Sequence, residues 1–401
     1  MKNKRVAFLI EIPTPYRDSF FERLAEKRDF SFEVIYCSSS EYARDWKQQK
    51  ISYPYKILPG FTYPVIGSGI FIVKVNFAVW RRFSEGGYDM VVIGGYAQPT
   101  MQLAILWCIL NKVPYILLSE SHNLTKRPFL TRALKWPLVK FVVNRARAFL
   151  VMGANSRDYL ISYGADSNRI FLLPNAPDVK KIAEQSLEYR LGLKNLREEL
   201  DIRGNPVIIY AGRLIGIKNV KTILFAFQLA QKAVPGAGLI IAGYGPLSDY
   251  LNALARKLKL SNISFTGFIQ PDELSRYYAC SDVFVLSSLD EPWGVVVLEA
   301  MASGLAVVVS DKVGCARDLV YENKSGFVVS PEDIEGFASV FIKLLQNSLL
   351  CRQMGEYARK IALTYEHDLY IPQLELALKL AMKSPSPRNA AKARKADYAA
   401  G

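Results

Sequence analysis

Two glutamates, Glu291 and Glu299, stand eight positions apart in the stretch LDEPWGVVVLEAMASG (Leu289–Gly304), beside Trp293 and two glycines. Paired carboxylates suit acid–base chemistry, and a retaining glycosidase would hold them about 5–5.5 Å apart across one bond. The flanking residues argue for another use. DVFVLSS before the stretch and LAVVVSD after it read as strands, so the stretch is a loop followed by a crossover helix. Pro292 disfavours a helix that includes Glu291, and Gly294 suits close approach of backbone to a ligand. A helix starting near Gly294 aims free N–H groups and a positive dipole end at an anion. Glu291 then lies on the loop and Glu299 a turn or so inside the helix, flanking a ligand at separate heights. Helix capping and solvation are the plain alternative.

Two further stretches carry chemistry. In YAGRLIGIKNV, Arg213 and Lys218 follow a strand, five residues apart beside a glycine. A planar guanidinium fork and a compact ammonium can grip a diphosphate there, or stand as solvated loop charges. In IAGYGPLSDYL, Gly243 and Gly245 follow a strand and open a helix, fitting either a ligand-side turn or plain turn geometry. A dinucleotide fingerprint would need a third glycine where Ser248 stands and an acidic residue ending the next strand. ISFTGF supplies none, which disfavours a nicotinamide enzyme.

The elements that position these residues alternate between short apolar strands and longer helical stretches. RVAFLIE, FEVIYC, DMVVIGG, PYILLSE, AFLVMG and IFLLPN in the first half are near-continuously apolar, as are PVIIYAGRL, GLIIAGYG, ISFTGF, DVFVLSS and LAVVVSD in the second. Parallel strands covered on both faces read this way. The 401 residues exceed one ordinary core, so the sequence predicts an α/β protein of two doubly wound parallel-sheet domains, Rossmann-like, facing each other across a cleft. The expected boundaries are 1–178 and 179–364, with the charged, helix-like stretch Val179–Asn205 read as a linker, a crossing helix at about 365–383, and a low-complexity tail, 384–401, read as disordered.

Composition narrows the class. The five cysteines lie far apart with no C-x-x-C, against a disulfide framework or cysteine zinc site and in keeping with a reducing compartment. MKNKRVAFLIEIP reads as a first strand rather than a signal peptide, and no apolar run reaches the roughly 18–20 residues that span a bilayer. The expectation is a cytoplasmic protein, free or peripheral on the inner face of the plasma membrane. The net charge of +14 is uneven: 25 Lys and Arg face 14 Asp and Glu in residues 1–180, against 26 and 23 in the remainder. An anionic partner for the first half follows. KRPFLTRALKWPLVKFVVNRAR (126–147) has seven basic residues, no acidic ones, and Phe129, Trp136 and Phe141 among them. It suits an anionic membrane surface, or is an ordinary crossover helix with a basic face. The usual nucleic-acid-binding motifs do not occur.

Taken together, AGRL…K, AGYGPL, FTGF…D-E-L, SDVFVLSSLDEPWGVVVLEAMASGLAVVVSD and NKSGFVV resemble, in order and spacing, the family 4 retaining glycosyltransferases of the bacterial surface-glycan type. The resemblance is densest from Tyr210 to Pro331, and the E-x7-E spacing of Glu291 and Glu299 is its most telling part. It implies a GT-B fold with the donor nucleotide mainly in the C-terminal domain and a final helix crossing back to the first. It implies that Arg213 and Lys218 hold the donor diphosphate and Glu299 the ribose hydroxyls. Glu291 and the backbone around Trp293, Gly294, Val295 and Val296 would position sugar and phosphate, with Phe268 and Ile269 framing the base. The donor would be a UDP- or GDP-sugar, with no metal or other cofactor, there being no D-x-D. Retention by front-face attack would need no protein base, charge on the leaving diphosphate being met by Arg213, Lys218 and helix amides. The acceptor would be a lipid-linked or growing glycan in cell-surface polysaccharide (lipopolysaccharide or capsule) biosynthesis. A sugar-nucleotide 2-epimerase of the same fold and a non-catalytic transferase-like subunit are the competing expectations.

In the N-terminal half the pattern departs from such relatives. The first strand–helix loop, often glycine-rich among them, is EIPTPYRDSF, where Pro13 and Pro15 remove amide donors. Tyr16 and Arg17 become acceptor-side candidates, with capping and packing as alternatives, and Gly95 and Tyr96 in GGYAQP join them. His122 in SESHNLTK matches a position where many relatives place a histidine against the donor sugar, so it is counted with Glu291, Arg213 and Lys218 as catalytic.

Overall fold

A computed structural model describes residues 3–40, 51–66, 70–125 and 128–383, so the tail 384–401 and the basic pair at 126–127 lie outside the described residues. The described residues divide into two compact units, the first made of residues from 3–174 together with 368–383 and the second of 175–367.

The first unit runs β1 (Arg5–Ile10), α1 (Pro15–Lys27), β2 (Ser31–Tyr36), β3 (Tyr55–Ile57), β4 (Phe61–Ile66), β5 (Ile70–Val75), α2 (Ala78–Gly86), β6 (Met90–Gly94), α3 (Pro99–Leu110), β7 (Tyr115–Ser119), α4 (Phe129–Arg145), β8 (Ala148–Val151), α5 (Ala154–Ser162) and β9 (Ile170–Leu172). Seven strands form one parallel sheet in the order β3-β2-β1-β6-β7-β8-β9. Leu9, Ile93 and Leu117 stand level in adjacent strands and are fully buried, the expected consequence of helices on both faces. The six apolar runs read from the sequence are all strands. Three strands escaped that reading: β3, whose residues are all exposed, and the antiparallel hairpin β4–β5. Lys74 in β5, which reads as a polar break in an apolar run, is buried.

The second unit contains α6 (Val179–Leu191), α7 (Leu193–Glu199), β10 (Val207–Ala211), α8 (Val220–Ala233), β11 (Gly238–Ala242), α9 (Ser248–Lys257), β12 (Ile263–Gly267), α10 (Leu274–Ala279), β13 (Val283–Leu286), α11 (Val295–Ala302), β14 (Ala306–Ser310), α12 (Ala316–Leu319), β15 (Gly326–Val329), α13 (Ile334–Leu345) and α14 (Ser348–Leu363). Its six parallel strands are ordered β12-β11-β10-β13-β14-β15. Val179–Asn205 is not a linker. Its helix α6 packs on α10 and α11 through Val179, Ala183 and Ser186, and the Ser186 hydroxyl donates to Ser303 Oγ at 2.8 Å. That buried stripe is narrow and made of small residues, so the charged outer face dominated the sequence signal.

A last helix, α15 (His367–Lys383), returns to the first unit, where Asp368 pairs with Arg23 Nε at 2.7 Å and with Lys27, both on α1. These two cations hold the Asp368 carboxyl well below the ordinary aspartate range. In both sheets the strand order reverses once, between β1 and β6 and between β10 and β13. Doubly wound sheets bind ligands beyond the carboxyl ends of the strands at such a reversal.

Candidate functional site

At the reversal of the second unit, β10 ends at Ala211 and β13 at Leu286. The loop after β10 carries Arg213, exposed, whose carbonyl accepts from the buried Tyr210 hydroxyl at 2.9 Å. Lys218 ends a 3-10 turn, Gly216–Lys218, that leads into α8 through Asn219. That turn is tied to the β13 loop. The Ser287 hydroxyl lies 3.2 Å from Lys218 O and 3.0 Å from Asn219 O, and Leu289 N donates to Ile217 O at 2.8 Å. Lys218 Nζ consequently donates to Glu291 Oε2, both side chains being mostly buried (17% and 15% exposed). Glu291 is held in its turn: its amide donates to Lys312 O at 3.1 Å and its carbonyl accepts from Gly314 N at 2.8 Å.

Gly294, at φ +101°, is the residue preceding α11, and that left-handed backbone favours glycine. No side chain caps the helix, and the first-turn amides of Val295 and Val296 have no acceptor within it. Its far end is treated differently. Arg359 Nε donates to Ala302 O at 3.1 Å, and Arg359 and Arg190 both donate to Ser303 O. Cations thus complete the C-terminus of α11 while its N-terminus is left for an anion. Arg190 and Arg359 have no motif signature, being 113 and 56 positions from Ser303, and sequence reasoning missed them.

Glu299 lies one turn inside α11, about 6 Å along its axis from Val295. Burial pushes its carboxyl up to about 7, against the pull of the Tyr278 hydroxyl, which donates to Oε2 at 3.1 Å. The Trp293 side chain is packed away from solvent. The ring is 3% exposed and lies 6.4 Å from Tyr365, so only its backbone can face a ligand.

Gly243 and Gly245 pack against the Arg213 loop. A Cβ on Gly243 would stand 1.8 Å from Gly212 O, and one on Gly245 2.6 Å from Leu214 O. Their immediate role is therefore this close approach, which seats the glycine turn beside Arg213. Gly243 also bridges Gly267, and the exposed Phe268 and half-buried Ile269 follow. Sheet order thus places Phe268–Ile269, Gly243–Gly245, Arg213 and Glu291 in a row along one carboxyl edge.

In the first unit, His122 follows β7 on a half-buried loop, and its Nδ1 accepts from Leu124 N at 3.3 Å. That bond selects the neutral tautomer with its proton on Nε2. Arg17, on the first turn of α1, pairs with Glu120 and lies 5.8 Å from the Tyr16 ring centroid. Burial works against its charge, but Glu120, Tyr16, Glu11 and Tyr36 together outweigh it and hold the guanidinium protonated. Tyr16 is half-buried, and Gly95 follows β6 at φ +95° with open space where a Cβ would stand. Tyr96 is turned away from any acceptor: it is 3% exposed, and its hydroxyl meets that of Tyr159 at 2.5 Å in the core. Burial of both tyrosines in the core keeps these hydroxyls out of a ligand's reach.

Comparison with known proteins agrees with this architecture. Residues 20–181 match the family model for Glycosyltransferase Family 4, and 194–361 match that for Glycosyl transferases group 1. The sulfoquinovosyl transferase SQD2 of Arabidopsis thaliana is 32% identical over 237 residues, 58% of this chain and 44% of that protein. A GDP-mannose-dependent alpha-(1-6)-phosphatidylinositol monomannoside mannosyltransferase of Mycobacterium tuberculosis is 31% identical over 215 residues, 52% of this chain and 51% of that protein. The chain thus spans about half the length of these relatives. Anabaena HepE in complex with UDP superposes with a TM-score of 0.73 at 18% identity, covering 94% of this chain and 100% of that one. WaaG, described as a glycosyltransferase involved in lipopolysaccharide biosynthesis, superposes with 0.66 at 20% identity over 93% and 98%. Motif order, two parallel-sheet units and two adjoining family matches agree: the chain belongs to glycosyltransferase family 4 and has the GT-B fold.

Proposed function

We propose that the protein is a retaining, metal-independent glycosyltransferase that moves a hexosyl group from a UDP- or GDP-sugar to a lipid-linked or growing glycan in cell-surface polysaccharide biosynthesis. The observation that carries this reading is the convergence of Lys218, Glu291 and the uncapped α11 N-terminus at one strand reversal, with Glu299 a turn deeper. Phe268 and Ile269 frame the base, Glu299 takes the ribose hydroxyls, and Arg213, Lys218 and the Val295–Val296 amides take the diphosphate. Glu291 orients the sugar, and His122 supplies an Nε2 proton donor toward it. The bond from the anomeric carbon to the diphosphate oxygen breaks as the acceptor oxygen bonds to that carbon from the same face. The acceptor proton passes to a diphosphate oxygen. Preorganised cations and amides lower the cost of the developing diphosphate charge.

The α4 surface supports a membrane-borne acceptor. Phe129, Leu130, Leu134, Trp136, Leu138 and Phe141 are exposed there, with Lys140 and Arg145 lying 4.3 and 3.9 Å from the Trp136 and Phe141 ring centroids. An apolar strip set among cations suits the face of an anionic bilayer. No single helix among the described residues is long and apolar enough to cross a membrane.

Thermal unfolding in the presence of UDP- and GDP-sugars tests the donor reading. A nucleotide sugar at 100 times its dissociation constant should add roughly 2.7 kcal/mol of stability. Absence of a shift with every nucleotide sugar would overturn it.

A further inference from the structure

The carboxyl edge of the first sheet carries two carboxylates that the donor chemistry does not use. Glu11 is the first residue after β1 and Glu120 the first after β7, with β6 between those strands. At about 4.8 Å per strand their backbones stand roughly 10 Å apart, on either side of Gly95. They flank the strand reversal of this unit, where a doubly wound sheet takes its ligand.

Each carboxylate is held by a cation sunk beneath it. Lys74 Nζ donates to Glu11 Oε2 at 3.1 Å, the lysine side chain being 1% exposed and the glutamate 38%. Gln98 Nε2 reaches the same oxygen at 3.3 Å, and Gln98 is fixed by donating to Ile72 O and accepting from Lys74 N. Both contacts fall on Oε2, so Oε1 of Glu11 has no partner among the described residues. Arg17 holds Glu120 in the same sense, the arginine 16% exposed and the glutamate 39%. Burying a cation costs several kcal/mol before its partner offsets it, and here this is done twice with the carboxylates outermost. The loop whose ends carry Glu11 and Arg17 contains a third unusual group. Thr14 is 2% exposed at the N-cap of α1, where a hydroxyl ordinarily bonds the first turn, yet its Oγ1 has no partner among the described residues.

We propose that this edge binds the terminal sugar of the acceptor and selects a ring without an anionic substituent, its hydroxyls donating to Glu11 and Glu120. The inference rests on the transferase reading and narrows its substrate class. Ionised carboxylates only accept, and O–H···O⁻ bonds are the short, strong ones. The same carboxylates repel a uronate or a sugar phosphate. Lys74 and Arg17 are already engaged, so an acceptor pyrophosphate finds no counter-charge between them and must lie elsewhere.

A glycan array bearing neutral, uronic-acid and phosphorylated terminal sugars tests this, with the full chain and a radiolabelled donor chosen by the thermal screen. Label is expected on neutral-terminated glycans. Label on acid-terminated glycans at comparable rates, or on no neutral-terminated one, overturns the proposal. Donor hydrolysis without the array reads the transferase assignment separately: hydrolysis without neutral labelling defeats the subsite alone, and absence of both defeats the assignment. Glu11→Gln would strand a buried ammonium, so the double variant E11Q/K74M removes the pair together. Once its melting curve shows it folded, it should raise KM for the neutral acceptor by at least about tenfold while KM for the donor holds. An acceptor KM within about twofold of the parent would also overturn the proposal.

Discussion

Lys218 Nζ donates to Glu291 Oε2, joining the loops after β10 and β13 across 73 positions of sequence. The carboxylate engages the ammonium that the proposed diphosphate needs, so donor binding must share or displace this contact. Glu291→Gln should therefore raise affinity for UDP or GDP by about tenfold, the order of one charge-assisted hydrogen bond, while lowering sugar transfer by about 100-fold. Lys218→Ala should weaken both. Calorimetric titration of each variant with the free nucleotides checks this. Equal weakening by the two substitutions would show that Glu291 supports the diphosphate instead of competing for Lys218.

Glu299 makes the site pH-sensitive. Its carboxyl, at about 7 in the folded chain, lies above the ordinary glutamate value of 4.5 because burial penalises its charge. For a raised carboxyl the associated stability is fully present below the unfolded value and is lost as pH rises through the folded one. Between pH 4.5 and 7 the parent should lose at most about 3 kcal/mol relative to Glu299→Gln, from 1.36 kcal/mol per unit. Donor affinity should run the other way. Ribose hydroxyls donate to the ionised form, so donor KM should fall from pH 6 to 8 in the parent and stay flat in Glu299→Gln. Parallel pH profiles for the two proteins would remove Glu299 from the donor site.

Most strands of both sheets were legible because parallel strands covered on both faces need apolar residues at every position, as in Val6–Ile10 and Val283–Leu286, whereas the exposed β3 and the short β15 were not. The loop-and-helix division of Glu291 from Glu299 was legible for a local reason: Pro292 and Gly294 restrict the backbone whatever surrounds them. What was not legible depends on distant partners. Lys74 looks like a solvent-facing break in β5 until Glu11, 63 positions away, is placed beside it. Tyr278 at Glu299 and the arginines at the end of α11 are single polar residues on helices, with nothing local to distinguish them. α6 reads as a helix-like linker because small residues at i, i+4 and i+7 give a weak apolar signal.

Trp293 separates backbone from side-chain roles. Its indole Nε1 has no hydrogen-bond partner among the described residues, so the ring contributes by filling space against Tyr365. Trp293→Phe should cost less than about 1.5 kcal/mol, and Trp293→Ala about 3–5 kcal/mol through the cavity it leaves. Urea unfolding midpoints at constant slope measure both. A large loss in the phenylalanine variant would show that the indole N–H matters.

The α4 surface should bind vesicles containing anionic lipid and release them as salt rises. Each of Arg132, Lys135, Lys140 and Arg145 near the surface should contribute about 1 kcal/mol at low ionic strength. Co-sedimentation with phosphatidylglycerol and with phosphatidylcholine vesicles, for the parent and for F129A/L134A/W136A, tests both halves of the surface. Equal binding to neutral and anionic vesicles would exclude an electrostatic role for α4.

His122 can be dissected atom by atom. Its Nδ1 accepts from Leu124 N, which shapes the loop, whereas the proposed donor contact uses Nε2 on the other side of the ring. Asparagine places an acceptor near the Nδ1 position, and glutamine places a donor near the Nε2 position. If loop shape were the whole contribution, His122→Asn would restore activity and His122→Gln would not. The donor-sugar role requires the reverse: His122→Asn should keep the fold within about 1 kcal/mol yet lose roughly 10²–10³ in kcat, the range for removing one preorganised donor. His122→Gln should retain more of it. Measuring kcat and KM for both variants beside their unfolding midpoints separates the two roles, and rescue by asparagine alone would return His122 to the architecture of its loop.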